Sequence, residues 1–357
     1  MWTKTSVTRQ LGITYPIIQA GMAGGSTSPQ LVAAVSRAGG LGTFGAAYMT
    51  AEQLRAAIRE VRQWTDRPFA VNLFIPEPYR VVEPGGDAAR IMNEVRDELG
   101  IPRDPRVTRH AEPFDEQMAV VLEERVPVFS FTFGIPSPEW LAELKQREIK
   151  VVGTATTVRE AKALEESGVD MVVAQGSEAG GHRGSFQHDA VSNQIGTLAL
   201  VPQMADAVRI PVIAAGGIMD GRGIAAALAL GASAVQMGTA FLACTESTAH
   251  PLHKQALLQT TEDSTVITRV FSGKQARGIR NAFVEALAPY EHEVPPFPVQ
   301  NALTRDIRRA AASQQRAEYL SLWAGQAAAL CRTVSAEELV RQLVQETEQI
   351  FRRFATF

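Results

Sequence analysis

Eight short apolar runs recur along this 357-residue chain, and most lead into a segment of helical period that opens on a Ser, Thr or Asp cap and often ends near a glycine. The runs occupy 16–21 (PIIQAG), 41–46 (LGTFGA), 69–74 (FAVNLF), 126–132 (VPVFSFT), 150–154 (KVVGT), 170–175 (DMVVAQ), 210–215 (IPVIAA) and 234–238 (AVQMG). Strands apolar on both faces belong to a parallel sheet covered by helices. The intervening segments supply those helices. Thr27, Ser28 and Pro29 precede LVAAVSRAGG, Thr50 precedes AEQLRAAIREVRQW, Ser137 precedes PEWLAELKQRE, Thr157 precedes VREAKALEESG, and 221–230 runs into Gly231. Eight alternating units predict an α/β fold closed as a (β/α)8 TIM barrel, since a doubly wound sheet uses fewer strands and one switch point.

Two connections are too long to be simple turns, 75–114 and 243–298. Both leave the C-terminal ends of predicted strands, so they are expected to form a cap over the mouth of the barrel. The barrel itself is then expected from 1–74, 115–242 and 299–357, with helices after Thr304 supplying the last outer helix and a tail that packs on the barrel or on a second copy in a homodimer.

Composition excludes several function classes. The formal net charge is -3 and the 35 Lys and Arg residues are scattered, so no nucleic-acid footprint is present. The two cysteines, Cys244 and Cys331, make no disulfide framework, which suits a reducing, cytoplasmic setting. The N-terminus lacks a signal-peptide core, and no uninterrupted apolar stretch is long enough to span a membrane.

The most informative stretch is IPVIAAGGIMDGRGIAAALALGASAVQMGTAF, 210–241, where the seventh and eighth runs pass directly into Gly216-Gly217 and Gly238-Thr239. Glycines let backbone approach an anion closely, and this is the usual place in a barrel for a cofactor phosphate. Gln175 ends the sixth run and begins QGSEAGGHRG, whose glycines are expected to project the His182 imidazole and the Arg183 guanidinium over the mouth. Histidine suits proton transfer or anion binding near neutral pH. Asn72 interrupts FAVNLF where its amide can meet the edge of a heteroaromatic ring. Gln19, Gly21, Met22 and Gly24 form a turn on which a flat ring can rest.

Other candidates are weaker. Residues 40–45 match GxGxxG but overlap a strand, so no Rossmann site is expected. His250 and His253 have metal-like spacing without acidic or cysteine partners and read as a surface helix turn, so no metal is expected. Cys244 lacks a basic neighbour and is a poor nucleophile candidate, while His188 and Asp189 read as residues that order the His182 loop.

Together, PIIQAGMAGG, AGGLGTFGAAYM, FAVNLF, VFSFTFGIP, QGSEAGGHRGSF, the stretch 214–242 and SLWAGQ resemble the FMN-dependent nitronate monooxygenases, formerly 2-nitropropane dioxygenases. FTFGIP and GGHRG are more similar to the class acting on alkyl nitronates and propionate 3-nitronate than to its NADH:quinone reductase relatives. The resemblance implies FMN, with Asn72 and Gln175 on its ring or ribityl chain, Gly180 beside it, Met22 and Gly24 against the isoalloxazine, and Gly217, Gln236, Met237, Gly238 and Thr239 at its phosphate. It also implies that His182 hydrogen-bonds the substrate nitro group, and that O2 oxidises the nitronate to a carbonyl compound and nitrite. Tyr290 and Tyr319 fit no pattern of the family's lid. Two other readings stay open on the residues: an FMN-dependent NAD(P)H reductase of quinones or enoyl thioesters, and a non-catalytic phosphometabolite sensor.

Overall fold

A computed structural model describes residues 2–103, 105, 107–187 and 194–355; His188 and Asp189 lie outside them. The described strands are β1 (Ile17–Gln19), β2 (Gly42–Gly45), β3 (Phe69–Phe74), β4 (Val128–Thr132), β5 (Lys150–Ala155), β6 (Met171–Gln175), β7 (Gly181–His182), β8 (Val212–Ala215), β9 (Ala234–Met237), β10 (Thr265–Thr268) and β11 (Ala276–Ile279). Each of the eight apolar runs contains one strand of a parallel sheet ordered β1-β9-β8-β6-β5-β4-β3-β2. A parallel bridge between Ile18 and Leu41 brings β2 back beside β1 and completes the TIM barrel.

Residues along the strands alternate between two apolar layers. Phe44, Val71, Phe129, Val172 and Val235 pack outward on the helices, whereas Ala70, Val128, Val152, Val173 and Ile213 fill the interior. Val7 and Leu11 of the helix Ser6–Leu11 join the interior layer, and Ser6 reaches Ser233 just before β9, so this helix plugs the N-terminal end. The predicted caps set the helix entries: Thr50 with Gln53 and Thr157 with Glu160 form capping boxes, and Ser28 and Ser137 accept first-turn N–H bonds, as does Asp220 ahead of Gly221–Ala229.

After β9 the chain makes only the short helix Thr239–Leu242. The outer position beside Gly221–Ala229 is filled instead by Ala336–Phe354, whose Leu339, Val340 and Leu343 are buried in the barrel's outer layer. The C-terminal segment thus supplies an outer helix, as its periodicity suggests.

A second apolar cluster lies apart from the barrel core. It combines Ala88, Met92 and Val95 of the helix Gly86–Glu98 with Val270, Phe271, Phe283 and Leu287, and it draws in Ile307, Ala311, Tyr319, Leu320 and Leu322 from beyond residue 299. A three-stranded antiparallel sheet, β10-β11-β7, joins this body to the loop after β6 and pairs Ala276 with His182. Among the described residues no helix is long and apolar enough to cross a membrane.

Candidate active site

The C-terminal ends of the barrel strands open into a cavity of about 1060 Å³ beneath the second cluster. Ligand sites commonly occupy roughly 300–1,000 Å³, so a large cofactor together with a small substrate can be accommodated. Most of the residues singled out from sequence meet there: Met22 and Gly24 after β1, Asn72 on β3, Gln175 at the end of β6, Gly180 and His182, Gly217 after β8, and Gln236, Met237, Gly238 and Thr239 at the end of β9; Gln19 and Arg183 do not.

The glycines account for the cavity's shape. Gly216 and Gly217 take φ values of 115° and 71°, which side-chain-bearing residues rarely adopt, and so turn the backbone sharply at the barrel rim. A Cβ on Gly180 would lie 2.6 Å from Ala324 C and Gly325 N, so only glycine lets these two loops touch. Thr239 Oγ1 accepts the Gly325 N–H at 3.0 Å and fastens the same loop to the end of β9.

Two polar side chains expected at a cofactor ring have work inside the protein. Asn72 Nδ2 donates to Ser130 Oγ at 3.0 Å, and Oδ1 has no partner among the described residues. Gln175 is spent at both ends: Nε2 donates to the His182 carbonyl at 3.0 Å, and Oε1 accepts the Gly184 N–H at 2.8 Å. It therefore braces the loop that carries His182. Gln19 is fully buried and bonds both backbone groups of Thr43, a strut between β1 and β2 rather than a ring contact.

His182 stands on β7 within a ring of aromatic side chains, with centroids of Phe74 at 6.0 Å, Phe133 at 5.7 Å, Phe297 at 5.8 Å and Trp323 at 5.6 Å. Its Nε2 lies 2.8 Å from Ser272 Oγ, which donates to the Lys274 carbonyl at 3.0 Å. Although the imidazole keeps some surface toward the cavity, burial disfavours its charged form, and Lys274 and Arg308 add repulsion, so its pKa falls to about 3. It is a neutral imidazole at physiological pH.

The expectation for Arg183 fails. Its guanidinium does not project over the mouth; it is 1% exposed and donates from Nη1 to the carbonyls of Gln175 and Gly176, which the end of β6 leaves unpaired. The histidine pair is likewise not a surface turn. His250 caps the helix Pro251–Leu258, and His253 is 7% exposed, lines the cavity and bonds the Trp323 carbonyl at 3.0 Å. No metal-binding group of side chains occurs among the described residues. Burial pushes the Cys244 thiol up to about 12, which rules it out as a ready nucleophile. Tyr319 is buried in the second cluster and bonds Glu98, and Tyr290 packs against that cluster; neither lines the cavity.

Sequence reasoning missed Tyr48, Phe74, Trp323 and the trio Arg305, Arg308 and Arg309, all of which line the cavity. The i, i+3, i+4 spacing of the arginines marks one helix face, but such a face is ordinarily solvated, and nothing local marks this one as the lining of a cavity, with Arg305 and Arg308 half-buried and Arg309 exposed.

Comparison with known proteins agrees with this geometry. The family model for nitronate monooxygenase matches residues 4–346. A protein of Staphylococcus saprophyticus named "Probable nitronate monooxygenase" is 47% identical over 99% of this chain and 100% of its own. Another of that name from Staphylococcus haemolyticus is 48% identical over 98% of this chain and 99% of its own. Among solved structures, nitroalkane oxidase from Streptomyces ansochromogenes superposes with a TM-score of 0.88 at 40% identity, covering 98% of this chain and 100% of that one. FabK from Thermotoga maritima gives 0.79 at 34% identity, covering 99% of both chains. The chain belongs to the nitronate monooxygenase family and is an oxidoreductase.

Proposed function

We propose that this enzyme oxidises nitronates with O2 to carbonyl compounds and nitrite, using FMN held in the cavity at the C-terminal end of the barrel. The segments 75–114 and 243–298 then form the cap over the substrate. The cavity is large enough for FMN, and the positive-φ glycines after β8 open a cradle of backbone that a Cβ would crowd. Gly217, Gln236, Met237, Gly238 and Thr239 would hold the phosphate end, with Met22, Gly24, Asn72, Gln175 and Gly180 toward the ring system. When bound, FMN supplies the electron-accepting chemistry.

The observation that carries the reading is the neutral, aromatic-walled His182. A base with a pKa near 3 is ill matched to removing a proton from carbon, so the site favours a substrate that arrives already deprotonated, as a nitronate does. The Ser272 hydroxyl sets the tautomer. If its proton goes to the Lys274 carbonyl, His182 carries its hydrogen on Nε2 and keeps a lone pair on Nδ1. If the hydroxyl turns to Nε2, the Nδ1–H becomes a donor for a nitro oxygen. The apolar rings around the imidazole exclude water and strengthen that hydrogen bond.

The test is oxygen uptake and nitrite release with an alkyl nitronate, comparing the wild type with His182→Asn. A lost hydrogen bond to a charged group costs ~1.5–3 kcal/mol, so turnover should fall roughly tenfold to a hundredfold while flavin absorbance is retained. Unchanged turnover would overturn the role of His182. Bleaching of the flavin by NADH without oxygen, with no nitronate oxidation, would replace the proposal with a reductase.

A further inference from the structure

Arg183 is a buried cation without a counter-charge beside it. It is 1% exposed, and only Nη1 is bonded, to the carbonyls of Gln175 at 3.1 Å and Gly176 at 2.7 Å and to Gln175 Oε1 at 3.3 Å, all uncharged acceptors. Nε and Nη2 are enclosed and have no hydrogen-bond partner among the described residues. The carboxylates near enough to feel its charge are committed elsewhere. Glu178 accepts the Thr197 N–H at 2.8 Å and the Thr197 hydroxyl at 2.9 Å, and Glu160 accepts from Thr156, from Ser185 and from the N–H groups of Phe186 and Gln187.

Burial pulls the Arg183 pKa down to about 10; Glu160 and Glu178 offset part of that fall, and Arg277 adds repulsion. The guanidinium is still charged at physiological pH. Two carbonyls can be held by a neutral amide donor, whereas a buried cation with no carboxylate against it is costly. The charge itself, beyond the hydrogen bonds, therefore needs a beneficiary.

Its neighbour is the cavity. Arg183 does not line it, but Gln175, whose Oε1 it reaches, and His182, which precedes it, both do. On the other side, a Cβ on Gly184 would lie 2.7 Å from Thr154 Cγ2 and 3.2 Å from Thr132 Cγ2, two further lining residues, so this segment runs directly behind the strand ends. The polar side chains that β3, β4, β5 and β6 present there, Asn72, Thr132, Thr154 and Gln175, are all uncharged. We propose that Arg183 is a fixed positive charge set one side chain behind the cavity wall, which raises the reduction potential of the bound flavin by favouring the negative charge that the ring gains with electrons. In an interior of low dielectric a charge acts through an intervening neutral side chain, and no contact with the cofactor is required. This inference rests on FMN lying in the cavity with its ring system toward Asn72 and Gln175, and it holds whichever substrate delivers the electrons.

The experiment equilibrates the holoenzyme with reference dyes without oxygen to obtain the potential of the bound flavin, and measures the dissociation constants of oxidised and reduced FMN, for the wild type and for Arg183→Met, Arg183→Gln and Arg183→Lys. Loss of the charge in the Met and Gln variants should weaken binding of reduced FMN about tenfold to a hundredfold more than that of oxidised FMN, a fall of about 30–60 mV for a two-electron couple. Arg183→Lys should recover most of it. A residue that only braced the carbonyls of Gln175 and Gly176 would change both dissociation constants alike and leave the potential unmoved. Should both neutral variants fail to fold, Glu178→Gln decides, because it removes a carboxylate that offsets Arg183 and keeps an oxygen for the Thr197 N–H. There the preference for reduced FMN should rise, by about threefold or more. An unmoved potential in the neutral variants or in Glu178→Gln, or a fall that Arg183→Lys shares in full, would overturn the inference. A potential that responds as expected in an enzyme that oxidises no nitronate would instead overturn the proposed function and leave the role of Arg183 standing.

Discussion

His182 resists protonation because it is buried and because Lys274 and Arg308 repel a positive charge there. For a nitronate, kcat/KM measured by oxygen uptake should therefore show no inflection from this residue between pH 5 and 8. A limb near the ordinary histidine value of about 6.5 that disappears in His182→Asn would contradict the burial argument. The same neutrality predicts that neutral nitroalkanes are oxidised at least tenfold more slowly than their nitronates at equal concentration. At Gly180, an added methyl group meets backbone atoms of Ala324 and Gly325 at 2.6 Å, and no side-chain rotation relieves that clash. Gly180→Ala should thus displace the segment carrying Trp323, lower stability by about 1–3 kcal/mol in urea titration and loosen flavin retention; unaltered stability would mean that the loops separate freely. His182 was legible in the sequence because unusual glycines flank it at a strand end. Tyr48 and the three arginines were not, since the cavity they line together is assembled from segments more than 200 residues apart.

The eight strands were readable because a strand buried on both faces must be apolar at nearly every position, a pattern that tertiary context does not alter. The elements of the second cluster carried a weaker signal. The helix Arg305–Ser313 offers only Ile307 and Ala311 as fully buried apolar residues, and the cluster they join includes Ile91 and Val95 of the first insertion, so its docking beside the cavity depends on contacts that no local window contains. Glu160 shows how an element can position a site at a distance. Its Oε2 caps its own helix at Thr156, and its Oε1 accepts from Ser185 Oγ at 3.0 Å and from the N–H groups of Phe186 at 2.7 Å and Gln187 at 3.1 Å. Burial opposes its ionisation, but the N–H donors of Phe186, Thr156 and Gln187 outweigh it and hold the pKa below the usual carboxylate value. Glu160→Ala should release the segment after His182, cost about 2–4 kcal/mol, and speed amide exchange at 183–187 more than in the barrel strands. Uniform exchange across both regions would show that the carboxylate is only a helix cap.

The cavity that makes the molecule an enzyme also makes it sensitive to acid. His182 and His253 are both held neutral by burial, with pKa values near 3 and 4 against about 6.5 in an unfolded chain. Below pH 6.5 the unfolded chain therefore binds protons that the native protein refuses, so stability is complete above that value and declines as pH falls toward the folded-state pKa values. The loss from His253 alone should be on the order of 2 kcal/mol by pH 4.5. Lowered carboxylates such as Glu160 and Asp220 contribute only at still lower pH, because their stabilisation is lost as pH falls through the folded-state value. Between pH 6.5 and 4.5 the slope thus belongs chiefly to the cavity histidines. Thermal melts over this interval should show a falling Tm, and the decline should be shallower in His253→Gln, which retains a donor for the Trp323 carbonyl.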